Sequence, residues 1–412
     1  MRITAVLVLC ALSLASAIVR AEDELPLADK YLSTGELERG EKDLEARLKQ
    51  KPDDDQARFG LAVIQFVRSI EHLSQSFYRY GLYNANSFRE LPFVRMPLPE
   101  NPNPAECGYE DTRRIMQDLL ADLGRSQKTL EGIQGDNVKL PLRFGRVRLD
   151  FDGDGKSTDD EVLYKLYNRM NAAAGITPQS AEAFVIALDK ADVHWLRGYC
   201  HLLSAMAEMS LAYDARELFE RAGHLFFPKA KSPYGFLQEG KKVFQFGGNV
   251  DIADLIAMVH LLNFPLKEPD RLKSALAHLE QVIACSRESW NAIMTETDDD
   301  HEWIPSPKQT GVIPGVKITP QMVDGWLTFL IEADSLLKGD LLIPFWRGSE
   351  EGVGVNLRKV FTEPRPFDLV LWVQGTGAAP YLEQGEVSTR ATWDRLYRVF
   401  GGEFLGFALW FN

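Results

Sequence analysis

Between Asp150 and Glu161 the chain reads DFDGDGKSTDDE, and no other stretch restricts its local geometry so tightly. Asp150, Asp152 and Asp154 alternate with Phe151 and Gly153, and Gly155 follows at once. Asp-Gly pairs are turn chemistry, and glycine enters backbone conformations that other residues resist, so the segment must be a tight loop rich in oxygen atoms. Glu161 falls on the first turn of the helix expected next. Four carboxylates held this close repel one another unless a cation sits among them. The spacing therefore reads as a metal cage, with an ion-free acidic surface turn as the competing reading.

Composition bounds what can surround such a loop. The chain has 412 residues, 45% of them hydrophobic, which suffices for a sizeable core and excludes wholesale disorder. The net charge of −13 argues against nucleic-acid binding, which needs a basic face to displace counterions. Met1-Arg2 followed by the uncharged apolar run Ile3–Ala17, with small residues up to Ala21, has the layout of a signal peptide over residues 1–21. That run is too short to span a bilayer, which takes about 20 residues. The expectation is a secreted or periplasmic protein with no membrane span after cleavage. Three cysteines would remain. Cys200 and Cys285 sit among apolar residues and read as buried thiols, whereas Cys107, in the polar stretch NPNPAECGYED, is the candidate for an exposed one. One disulfide among the three is possible, and its pairing is not legible.

Helical periodicity dominates residues 22–338, the expected helical body. Leu37, Leu44 and Leu48 share one face, with charged residues on the rest, and Pro52 ahead of Asp53-Asp54-Asp55 stops that helix. Leu27, Ala28, Tyr31, Gly35, Gly40, Leu44, Leu48 and Pro52 resemble a tetratricopeptide unit, over about 34 residues. Arg47 departs from it, standing where that pattern prefers alanine. The resemblance implies a helical hairpin at the N-terminus, and a lone unit implies hairpin packing rather than a repeat array. Further helices are expected near 56–80, 111–130, 160–173, 178–189, 194–213, 252–262, 271–295 and 320–337. Prolines break residues 81–108 into a loop, and 139–149 looks extended.

After Gly339 the character changes. Leu341–Trp346 and Phe367–Val373 look like short strands, Ser388–Phe400 like a helix, and Phe404–Phe411 is an apolar aromatic end expected to be buried on the body or in a small sheet. The fold class expected is mainly α, a helical-hairpin array with one acidic loop and a small α/β section at 339–412.

The acidic loop resembles the calcium-binding loop of the EF-hand family. That resemblance implies Ca2+ held by the carboxylates of Asp150, Asp152 and Asp154, the carbonyl of Lys156, Thr158 directly or through water, and both oxygens of Glu161. Calcium takes six to eight oxygens at about 2.3–2.6 Å. Ser157 departs from the family, where a branched apolar residue joins a partner loop, and no second loop occurs in the chain. A solitary, structural ion is implied, joining Leu149 to the helix after Asp160.

A second acidic run, Asp298-Asp299-Asp300-His301-Glu302, has no metal spacing and reads as a solvated loop. His-Glu-x-x-His, Gly-x-Ser-x-Gly, phosphate-loop and Cys-x-x-Cys patterns are all lacking. Glu288-Ser289 and Gly235–Gln238 faintly echo lytic transglycosylase motifs, but in the wrong order. The late tryptophans Trp290, Trp303, Trp326, Trp346, Trp372, Trp393 and Trp410 are expected mainly in core and interfaces. The chain thus reads as a non-enzymatic calcium-binding protein whose helical surface contacts a macromolecular partner. The alternative is a hydrolase with its site between the helical body and the C-terminal section.

Overall fold

In the computed structural model, the described residues are 26–83, 96, 98–170, 175–239, 245–247, 250–313, 317–348, 351–402 and 404–411. The expected signal peptide lies outside them, as do Pro92 and Pro97. The fold is mainly α. Helices α1 (Leu27–Thr34), α2 (Leu37–Gln50), α3 (Asp55–Arg79) and α4 (Tyr109–Glu131) precede the acidic loop. After it come α5 (Leu163–Met170), α6 (Pro178–Ala183), α7 (Lys190–Ala212), α8 (Arg216–Ala222), α9 (Phe236–Glu239), α10 (Ile252–His260), α11 (Asp270–Thr295) and α12 (Pro320–Lys338). The last section holds α13 (Leu357–Thr362), α14 (Leu369–Gln374), α15 (Arg390–Val399) and α16 (Phe404–Phe411). No helix among the described residues is long and apolar enough to cross a membrane.

The strands are short and antiparallel. Strands β1 (Leu140–Leu142) and β2 (Ile186–Leu188) pair, as do β3 (Gln245–Gly247) with β4 (Val250–Asp251). In the last third, β5 (Asn263–Phe264) pairs with β8 (Phe367–Asp368), and β7 (Val353–Val355) lies between β6 (Ile343–Pro344) and β9 (Leu382–Gln384).

Local chemistry sets the N-terminal hairpin. Gly35 ends α1 in the left-handed region at φ 74°. A Cβ on Gly40 would lie 2.7 Å from the Tyr31 side chain and 2.9 Å from Ile64, so only glycine lets α2 cross this closely. Asp54 caps α3 by accepting the Ala57 N–H at 2.9 Å. Two large apolar clusters follow. One joins α1–α4 with part of α7 around Phe59, Ile64, Leu123, Leu130 and Leu140. The other joins α11, α12 and the C-terminal helices around Trp290, Trp326 and Phe411. Helix α7 packs along α11 on one side and α4 on the other, linking them.

Several expectations are corrected. Only Phe367-Asp368 of the supposed strand 367–373 is extended; Asp368 accepts the Leu371 N–H at 2.9 Å and Gly375, at φ 106°, ends a short helix, α14. The helix expected at 178–189 stops at Ala183, where the chain turns extended to give β2 its pairing with β1. Only Leu140–Leu142 of 139–149 is a strand. Cys107 is fully buried, because its N–H donates to Lys229 O at 2.9 Å and its carbonyl accepts from Lys231 N at 2.7 Å, clamping the segment inside. All three described cysteines are buried free thiols. The aromatic end is helical, and Phe411 packs against Trp290 and Trp326, ring centroids 4.9 and 5.7 Å away.

Candidate metal centre

The acidic loop is shaped by two glycines in the left-handed region, Gly153 at φ 73° and Gly155 at φ 82°. Between them the backbone turns its N–H groups inward. Asp150 accepts from Gly153, Asp154 and Gly155 at 2.8, 3.2 and 2.9 Å. Asp152 accepts from Asp154 N at 3.1 Å, and Asp154 from Lys156 N at 2.8 Å. The base of the loop is closed by an antiparallel bridge between Arg148 and Val162, with Leu163 N donating to Val147 O at 2.8 Å. Helix α3 holds the buried end, since Asp150 N donates to Glu71 Oε1 and Gln75 Nε2 to Asp150 O, both at 2.8 Å.

This geometry gathers three of the six expected ligands. Oxygens of Asp150, Asp152 and Asp154 lie within 4.8 Å of one another. Thr158 and Glu161 form a separate pair: Glu161 Oε2 accepts both the N–H and the hydroxyl of Thr158 at 2.8 Å, and its Oε1 accepts Phe151 N at 2.9 Å. That reciprocal capping starts the turn leading into α5. Lys156 is exposed, its N–H spent on Asp154. The aspartate group fits a hard cation, because an ionised carboxylate offers about four lone-pair sites and backbone donors take only some of them. Burial, with Asp152 alongside, raises the Asp150 pKa.

The family departure at Ser157 has a local explanation. A Cβ on Gly35 would lie 2.1 Å from Ser157 Oγ, and Arg148 N donates to Leu32 O at 2.9 Å. The middle of the loop rests on the α1–α2 turn, where a branched apolar side chain would not fit. Glu71 was not anticipated. Burial raises its carboxyl to about 7, against the opposing pull of the Asp150 N–H. The available signal was an acid set three residues from Ser74 and six from Phe77 on the buried face of α3.

A second carboxylate group lies elsewhere. Asp189 caps α7, Glu296 follows the end of α11, and Glu302 sits in the loop beyond; their oxygens also lie within 4.8 Å. The reading of 298–302 as wholly solvated is corrected here. His301, at φ 61°, turns the chain so that Glu302 is buried, while Asp298 and Asp300 stay outside and pair with Lys139. Glu302 accepts Asp300 N at 2.8 Å, and Glu296 accepts Gln309 Nε2 at 3.0 Å. Burial first, then contact with Asp189, pushes Glu296 up to about 9; burial pushes Glu302 up to about 7. Asp192, deeply buried beside Asp189, is raised as well. Glu296 therefore holds a proton at neutrality, and Glu302 titrates close to it.

Trp290, Trp303 and Trp326 are core residues, whereas Trp346 and Trp393 are exposed and the Trp410 side chain lies outside those described. Glu288 pairs with His194 at 2.9 Å rather than standing in a cleft. Set against protein-family models, curated proteins and solved structures, the chain matches none.

Proposed function

We propose that this is an exported calcium-binding helical protein in which the ion is structural and the helical surface serves a scaffold or protein-interaction role. The observation that carries this reading is the convergence of Asp150, Asp152 and Asp154, with oxygens within 4.8 Å, in a loop whose buried end is held by Glu71 and Gln75 of α3. Calcium at this point ties the α1–α2 turn, the Glu71 side of α3 and the start of α5 into one unit. Lys156, Thr158 and Glu161 complete the sphere, Glu161 exchanging its backbone donors for the ion. Extracellular sites of this type bind at about 10⁻⁴–10⁻³ M.

The test is the thermal midpoint of the purified protein during a calcium titration. Stabilisation that saturates in the millimolar range, and that is lost in Asp152→Ala with Glu161→Ala, supports the reading. An unchanged midpoint at 10 mM calcium, or a response that survives the double substitution, overturns it.

A further inference from the structure

An open cavity of about 450 Å³ lies where the end of α1 meets helix α6 and the chain that follows β1. Its lining is polar throughout: Ser33 and Thr34 of α1, then Arg143, Arg146 and Arg148, and Glu182 of α6. Three arginines against one acid reverse the balance of a chain whose net charge is −13. Two of them are fixed by partners outside the lining. Arg143 donates Nε–H and Nη2–H to the buried Asp29 at 2.9 and 2.6 Å, and Arg148 donates to Thr158 O and Asp159 at 3.1 and 2.7 Å. Arg146 differs. Its Nε lies 3.1 Å from Glu182 Oε2, and its two terminal nitrogens have no acceptor among the described residues.

The cavity already shows what these guanidinium groups take. The Glu182 carboxylate spans Arg143 Nη1 and Arg146 Nε, a protein oxyanion held between two planar forks. Its side chain is 48% exposed and stands on a short helix, so an incoming oxyanion replaces it without opening the core. The α1 wall has the opposite polarity. Ser33 and Thr34 donate their hydroxyls to Lys30 O at 3.1 and 2.9 Å, which leaves the hydroxyl oxygens as acceptors, and the end of α1 carries partial negative charge. The lining thus offers donors to an oxyanion and, on α1, acceptors to hydroxyl groups. Charge elsewhere on the chain is screened beyond about 8 Å at physiological ionic strength, so the groups in contact decide. A volume within the ~300–1,000 Å³ of small-molecule sites suits one small ligand.

We infer that this cavity binds a small hydroxylated oxyanion, a sugar phosphate or a sugar acid, with Arg146 as its principal donor and Glu182 as the group it displaces. The purified full chain is titrated calorimetrically with glucose 6-phosphate, glucuronate and unsubstituted glucose, each up to about 10 mM. Binding of either anion without binding of glucose is the expected result, and the tighter anion assigns phosphate or carboxylate as the headgroup. Arg146→Gln weakens that binding about 10-fold or more. Glu182→Gln removes the competing carboxylate and tightens it about 3-fold or more. Both positions are partly exposed, and an unchanged far-ultraviolet spectrum shows that each variant is folded. No binding of either anion, binding that survives Arg146→Gln, or a Glu182→Gln variant that fails to bind more tightly overturns the inference. Inorganic phosphate held as tightly as glucose 6-phosphate strikes out the hydroxyl acceptors of α1.

Discussion

The two carboxylate groups face the same repulsion and meet it with different partners. In the 150–161 loop, backbone N–H groups converge on Asp150, Asp152 and Asp154, and Asp154 stays open to solvent. At the meeting of α7, α11 and the 296–302 segment, Asp300 N donates to Glu302 and Gln309 Nε2 to Glu296, but burial and the neighbouring acids outweigh these donors. Donors stabilise the ionised form, whereas burial among like charges stabilises the protonated form. Proximity of acids alone therefore does not define a cation site. On the proposed reading the first group takes an ion, whereas in the second, burial favours the protonated forms of Glu296 and Glu302.

The largest expected effect separates the two by calcium. At ten to a hundred times the dissociation constant, binding to the folded state alone adds about 1.4–2.7 kcal/mol, seen as a rise of about 2–3 °C in the thermal midpoint of a chain this long. Asp150→Asn abolishes the rise and Glu302→Gln leaves it intact. A rise that follows Glu302 instead breaks the comparison.

Next comes pH. Glu296 and Glu302 have folded-state pKa values above the ordinary carboxylate value, so the folded protein binds more protons than the unfolded chain between that value and about 9. Their contribution is complete below the unfolded pKa and is lost as pH rises through about 7 and then about 9. The midpoint, followed from pH 5 to 9, should fall on this account, and Glu296→Gln should flatten the curve by roughly 2 °C or more. An identical slope in that variant removes the protonation half of the contrast.

A smaller effect tests the loop backbone. Gly155 is at φ 82° with open space where a Cβ would go, so Gly155→Ala costs about 1 kcal/mol of backbone strain and no clash. Chemical denaturation measures it, and the calcium response should be weakened rather than lost. Smallest of all, Lys139→Ala removes exposed pairs to Asp298 and Asp300 and should change stability by no more than about 0.5 kcal/mol. A larger loss would mean that Lys139 compensates the buried acids behind them.

What was legible in the chain follows how local the information is. The 150–161 loop could be located because its acids and its two left-handed glycines lie within twelve consecutive residues, and long amphipathic helices such as α2, α3 and α11 announce themselves by period. Asp189 and Glu302 could not be connected, since helices α7 and α11 must pack before they meet. Leu369–Val373 misled because a short apolar run with β-branched residues has no distinguishing period; the cap at Asp368 and Gly375 decided it. Glu161 and Thr158 were read as further ligands; without an ion, Glu161 accepts both the N–H and the hydroxyl of Thr158 beside the three aspartates.

The seat of Ser157 on Gly35 also imposes an order in time. The α1–α2 turn meets its partner only once the chain has grown past Arg148 and Ser157. At a synthesis rate of roughly 5–20 residues per second, the hairpin exists for several seconds before the loop that covers its turn. During that interval the hairpin must persist without its cover, and anything that delays the loop prolongs it.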